Sequence, residues 1–137
     1  MSRSPVSNKE TMDFEIHFYE NVLKNVPTFI EALIALGDVY TKRGLYQKGL
    51  GIDLRLATLR PEDSVVLYNL ACSYCLLNDV SAALKALRQA VELGYDDFAH
   101  LESDTDLLNL LKDDDFQEYI QKLKKKKKQT DCVDKAA

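Results

Sequence analysis

Few residues of this chain could do chemistry, and the clearest candidates are two cysteines, Cys72 and Cys75, at the spacing C-x-x-C. Redox sites with this spacing place the first thiol at a helix N-terminus, where the helix dipole lowers its pKa. Here both thiols fall in the middle of a predicted helix, so that effect is missing. A zinc site needs about four ligands, but no second cysteine pair exists, and His17 and His100 are isolated. We therefore expect core or groove-lining thiols, with no metal and no cofactor.

The other polar residues also predict a protein that is not an enzyme. Neither histidine has a neighbouring Ser, Cys or Asp in the arrangement of a catalytic nucleophile. The glycines fit neither phosphate-binding spacing. The acidic residues cluster near predicted helix starts, where helix capping accounts for them. We expect no catalytic residues and no small-molecule substrate.

Charge is divided between an acidic body and a basic end. The chain has a net charge of −4, yet residues 122–137 contain seven lysines and only two acidic residues. Asp113–Asp115 precede an apolar helical pattern and Lys122–Lys128 follow it, an order that suits the dipole of a single helix. The alternative is an accessory protein that binds nucleic acid or an anionic membrane surface through Lys122–Lys128. Without interleaved aromatic or arginine residues, sequence-specific readout of RNA is not expected.

Length and composition predict one helical, cytoplasmic domain. The 137 residues are 46 % hydrophobic, and five glycines with three prolines are too few for a sandwich or barrel. No apolar stretch approaches the roughly 18 residues of a membrane span. The first ten residues lack the apolar core of a secretory signal, and three cysteines without such a signal are expected to stay reduced.

The elements that position these residues follow from an internal repeat of 34 residues. Chemically equivalent residues coincide at this offset: Pro27 with Pro61, Leu33 with Leu67, Leu36 with Leu70, Gly37 with Ala71, and Tyr40 with Tyr74. Within each unit the spacing i, i+3, i+4, i+7 predicts one buried helix face. A small residue in that face allows a second helix to approach closely.

Helix ends can also be predicted. Thr28 with Glu31 has the spacing of a capping box, and Asp63 can cap the first helix of the second unit. Gly44 and Asn78 suit the left-handed backbone at a helix end. Each unit is therefore predicted to be a helix, a short turn and a second helix.

These residues resemble the tetratricopeptide repeat family. The matching positions are Leu33, Leu36-Gly37, Tyr40, Gly49 and Pro61 in the first unit, and Leu67, Leu70-Ala71, Tyr74, Ala83 and Leu87 in the second. The resemblance implies an all-α fold, a short right-handed superhelix of antiparallel helix pairs with C-terminal capping helices. We divide the chain into a flexible N-terminus (1–8), a helical domain (9–125) and a basic, disordered tail (126–137). Within the domain we expect a half repeat (10–29), repeats (30–63 and 64–97) and capping helices (98–125).

One residue departs from the family pattern. Asp53 stands where the family has an apolar ring, and a lone buried carboxylate costs several kcal/mol. We expect Tyr74 or Asn69 to be its hydrogen-bond partner.

In the family, the first helix of each pair lines a concave face that holds a peptide or a helix of another protein. The resemblance therefore implies an adaptor or scaffold whose partner-binding residues are Glu31, Ile34, Asp38, Thr41, Lys42, Val65, Tyr68, Asn69, Cys72, Cys75 and Leu76. Some members clamp the anionic terminus of chaperones, but only Asn69 matches that clamp, and its cationic positions are not kept here. Two alternatives remain open, which are self-association through this face and closure of the groove by the chain's own termini.

Overall fold

The computed structural model describes residues 8–136, with side chains to residue 129, and this part of the chain is all-α without any strand. Of the predicted flexible N-terminus, residues 1–7 lie outside the described residues, and Asn8 begins the first helix. The helices are α1 (Asn8–Asn25), α2 (Ile30–Lys42), α3 (Tyr46–Leu59), α4 (Ser64–Leu76), α5 (Val80–Glu92), α6 (Phe98–Ser103), α7 (Leu108–Leu111) and α8 (Asp114–Ala136), with a 3-10 turn at Thr105–Leu107 between α6 and α7. Among these residues, no helix combines the length and apolar character needed to cross a membrane.

Short turns join successive helices, and each helix from α1 to α4 packs against the one that follows it. Gly44 (φ 83°) and Asn78 (φ 63°) adopt left-handed backbone just after α2 and α4, as predicted. Glycine has no Cβ penalty in this region, and asparagine tolerates it better than most residues. The predicted repeat starts at 30 and 64 coincide with the first residues of α2 and α4.

Side-chain capping was predicted correctly at one of the two helix starts. The Asp63 carboxylate accepts hydrogen bonds from the backbone N–H groups of Val65 (3.0 Å) and Val66 (3.3 Å). The capping box at Thr28 is wrong, because Phe29 is the residue that precedes α2 and its side chain makes no capping hydrogen bond. The Phe29 N–H instead donates to the Val26 carbonyl, which continues the preceding turn.

The predicted apolar faces form the core. Leu33, Leu36 and Tyr40 of α2 are buried, as are Leu67 and Leu70 of α4. Gly37 allows the close approach of α3, since a Cβ placed there would lie 3.2 Å from Ile52 Cγ2. The close packing of α3 therefore favours a small residue at this position of the repeat.

The segment after α5, for which the sequence predicts capping helices, packs its apolar side chains into the core. Its buried side chains are Leu101, Leu107, Leu110, Phe116 and Ile120. Asp113 accepts a hydrogen bond from the Phe116 N–H at 3.0 Å and so caps α8. The backbone of α8 remains helical to Ala136, whereas the sequence predicted a disordered tail over 126–137. Lysine is a good helix former, and the pairing of Lys122 with Glu118 one turn earlier supports the helix.

Candidate functional site

A groove of about 420 Å³ runs between α2 and α4, and we call it the α2–α4 groove. It is lined mainly by these two helices, with further residues from α3 and from the segment His100–Asp106. Eight of the predicted partner-binding residues line it: Ile34, Asp38, Thr41, Val65, Tyr68, Asn69, Cys72 and Leu76. The structure therefore brings most of the predicted set to one place.

Three predicted residues do not line the groove. Cys75 is fully buried at 0 % exposure, and its backbone carbonyl accepts a hydrogen bond from Asn109 of α7. Glu31 is exposed at the start of α2. Lys42 is also exposed and forms an ion pair with Asp38 at 2.9 Å. Lys42 thus touches the groove only through Asp38.

Two predicted contact residues lie beneath the chain's own capping segment. Tyr68 is only 4 % exposed, and its ring stacks on Tyr95 with centroids 4.4 Å apart. Its hydroxyl donates to Asp104 Oδ2 at 2.6 Å, and Cys72 Sγ lies 3.8 Å from the same oxygen. The His100 ring lies 5.7 Å from the Tyr68 ring. Closure by the chain itself, one of the two open alternatives, therefore occurs at this end of the groove.

The open part of the groove has an apolar residue on each of its main helices. Ile34 of α2 is 50 % exposed and Val65 of α4 is 55 % exposed. Leu76 is half-buried at the other end of α4. Isolated exposed apolar residues are common on protein surfaces, but these two share a concave surface.

Negative charge dominates the polar part of the groove. Its lining contains the carboxyl groups of Asp38, Asp53, Asp63, Asp104 and Asp106, and none of its described lining residues is a lysine or arginine. Burial raises the pKa of Asp106, and the charges of Asp104 and Asp38 raise it further. The sequence did not predict that Asp104, Asp106 and His100 line the groove. These residues belong to the segment after α5, which does not follow the 34-residue repeat.

Asp53 lies buried at the base of the groove, and its partner is Ser73. The Ser73 hydroxyl donates to Asp53 Oδ2, so the expectation of Tyr74 or Asn69 is wrong. The need for a partner was correct, since no buried polar side-chain atom among the described residues lacks a hydrogen bond. Burial raises the pKa of Asp53 to about 6, and the hydrogen bond from Ser73 acts in the opposite direction.

The thiols of the C-x-x-C sequence are poorly placed for reaction. Cys72 and Cys75 are free and buried. Burial raises the pKa of both thiols, and the charges of Asp104 and Asp106 add to the effect. Both therefore stay protonated near neutral pH, whereas the thiolate is the nucleophile and the metal ligand. Within the described residues, no group of three or more His, Cys, Asp or Glu side chains is arranged to hold a metal ion.

The basic segment Lys122–Lys128 lies on α8 and makes contacts within the chain. Lys122 pairs with Glu118 at 3.1 Å, and Lys124 pairs with Glu102 of α6 at 2.5 Å. Lys127 Nζ lies 5.3 Å from the centre of the Phe98 ring. The contacts of Lys124 and Lys127 connect α8 to α6.

Comparison with known proteins gives a partial likeness. No family model matches the chain. The chain is similar to a chloroplastic protein of Arabidopsis thaliana, with 41 % identity over 80 residues. The match takes in 56 % of this chain and 24 % of that protein, so the chain spans about a quarter of the relative's length.

Proposed function

We propose that this protein is a non-enzymatic interaction module of the tetratricopeptide repeat type. In this proposal it binds a peptide or a helix of another protein in the α2–α4 groove, as an adaptor or scaffold does. The spacing of the helices supports the repeat assignment, because α2 and α4 begin 34 residues apart, as do α3 and α5. A stack of such helix pairs forms a right-handed superhelix with a concave face.

The observation that carries the binding proposal is the groove itself, with Ile34 and Val65 exposed on its two main helices. A peptide laid between α2 and α4 removes both side chains from water, which is favourable at about 25 cal/mol per Å² of apolar surface. The Asn69 side chain in the groove offers hydrogen-bonding groups to a peptide backbone, and the Thr41 hydroxyl, which donates to the Gly37 carbonyl, can still accept a hydrogen bond. This combination suits an extended peptide or one face of a helix.

Other functions have less support. The thiols are buried and protonated, and the Ser73 hydroxyl that pairs with Asp53 is buried as well, which favours a binding role over a catalytic one. Binding of an anionic surface by Lys122–Lys128 remains the alternative, but three of these lysines already contact the chain's own residues. The cytoplasmic location stays a prediction, and the name of the relative places that other protein in the chloroplast.

The test is selection of peptides from a displayed library on the full chain, followed by affinity measurements with variants. Val65→Arg places a large charged group on the open wall of the groove, and we expect at least about a tenfold loss of affinity. Leu108→Arg is the matched control, since Leu108 is similarly exposed at 52 % but lies on α7 outside the groove. Equal losses in both variants, or none in Val65→Arg, would remove the α2–α4 groove as the binding site.

A further inference from the structure

The carboxylates of the α2–α4 groove differ in how well the protein's own groups satisfy them. Asp63 caps α4, and Asp53 is bonded to Ser73. Asp104 accepts hydrogen bonds from the Tyr68 hydroxyl and from the Asp106 N–H, and His100 Nε2 lies 3.5 Å from it. These three carboxylates have structural roles inside the fold.

Asp38 and Asp106 are different. Among the residues whose side chains are described, Asp38 pairs with Lys42 alone, and both side chains are more than half exposed, so water screens this pair. Within residues 8–129, no hydrogen-bond donor or cation pairs with the half-buried carboxylate of Asp106. Asp106 is close enough to Asp104 and Asp38 for their charges to act on it. The charges of Asp104 and Asp38 therefore both act against Asp106 on one side of the groove.

A ligand that brings positive charge relieves this repulsion. Complementary charge favours one class of partner and excludes the opposite class, because two like charges brought together in a concave site repel strongly. The apolar residues Ile34 and Val65 share the groove with these carboxylates. The surface thus combines a negative side with exposed aliphatic groups.

We propose that the α2–α4 groove selects a basic peptide segment of another protein, in which a lysine or arginine reaches Asp38 and Asp106 while neighbouring apolar residues pack on Ile34 and Val65. This inference rests on the proposed function and specifies the chemistry of the partner. An acidic peptide, or a peptide ending in a clamped carboxylate, is excluded by the same charges. Arginine can also bind a carboxylate through two parallel hydrogen bonds.

The test uses three fluorescent peptides of about 12 residues that share their leucine and alanine positions and differ only in carrying lysine, glutamine or glutamate elsewhere. Fluorescence anisotropy with the full chain gives the affinities. We expect the lysine peptide to bind about tenfold or more tightly than the glutamine peptide, and the glutamate peptide to bind weakest. Raising the salt from about 50 mM to about 300 mM should reduce this preference.

Two variants with the same change in net charge locate the effect. Asp106→Asn should weaken the lysine peptide about fivefold or more, whereas Asp115→Asn, an exposed site on α8, should leave its affinity unchanged. Equal affinity of the lysine and glutamine peptides, or equal effects of both variants, would overturn the charge inference. If the glutamine peptide binds and Val65→Arg abolishes it, the proposed function stands without its charge preference. If none of the three peptides binds, this inference is overturned. If the library selection yields no binding peptide, the proposed function is overturned.

A second copy of this chain is the competing occupant, through its Lys122–Lys128 segment. Sedimentation equilibrium of the full chain over a range of concentrations distinguishes it from a separate partner. The inference requires a monomer under conditions in which the lysine peptide binds. A dimer that excess lysine peptide dissociates would assign the groove to self-association and overturn the inference.

Discussion

Asp53 gives a stability prediction whose size follows from the structure. Burial raises its pKa to about 6 from the ordinary value of 3.8. Because an unfolded chain has the ordinary value, folding favours the protonated form of this group. The penalty for holding the carboxylate ionised is therefore absent below about pH 4 and grows as the pH rises through about 6. A shift of about two pKa units corresponds to about 3 kcal/mol at neutral pH.

The substitution Asp53→Asn should remove this penalty and keep the hydrogen bond, because an amide oxygen can still accept from Ser73. The free energy of unfolding of the wild type, measured relative to Asp53→Asn, should fall by about 2 kcal/mol between about pH 4 and pH 7. Urea denaturation followed by circular dichroism at several pH values measures it. Asp115→Asn is the control, because the Asp115 side chain is exposed. The free energy of unfolding of the wild type relative to this variant should show no comparable change with pH. A difference between wild type and Asp53→Asn that does not change with pH would show that burial does not raise the pKa of Asp53.

The packing and the thiols give three further predictions. Gly37→Ala should be about 1–3 kcal/mol less stable than Gly51→Ala, because both gain helix propensity but only the Cβ at position 37 would lie 3.2 Å from a methyl group of α3. Gly51→Ala, with open space around it, should stabilise α3 by about 0.5–1 kcal/mol, and urea midpoints that rank the two variants in reverse would contradict the packing. Phe116→Ala should cost about 3–5 kcal/mol, measured in the same way, since this ring is fully buried in the terminal cap. Cys72 and Cys75 should react with a thiol reagent only as fast as the chain opens, and rapid labelling of either in the native protein, detected by mass spectrometry, would show that the thiols are accessible.

The repeat made the paired helices predictable. The match between Leu33–Tyr40 and its equivalent 34 residues later encodes the buried face of α2 and α4, and this periodicity depends only on local geometry. The left-handed positions at Gly44 and Asn78 were predictable for the same reason. Capping at Thr28 was not, because a cap depends on the exact first residue of the helix, which the preceding turn shifted to Phe29.

The groove was predictable only in part. Ile34 and Val65 line the groove, and both occupy positions that follow the repeat register. Tyr68 and Cys72 were expected on the open surface, yet Asp104 and its neighbours cover them, and the path of that segment depends on tertiary packing. Of the two expected partners of Asp53, Tyr74 is one position from the actual partner Ser73, a rotation of about 100° on a helix, and Asn69 lies one turn before Ser73. Contacts of this kind depend on how separate helices pack, which local sequence patterns do not encode.

The claim that a partner lies between α2 and α4 is tested most directly by nuclear magnetic resonance of the full chain with a bound, selected peptide. We predict intermolecular nuclear Overhauser effects from the peptide to the methyl groups of Ile34 and Val65, which line the groove together. Phe14 and Phe18 on α1 are the most useful reference, because they are exposed apolar residues outside the groove. Contacts from the peptide to these two rings, with none to Ile34 or Val65, would place the peptide on α1 and not in the α2–α4 groove.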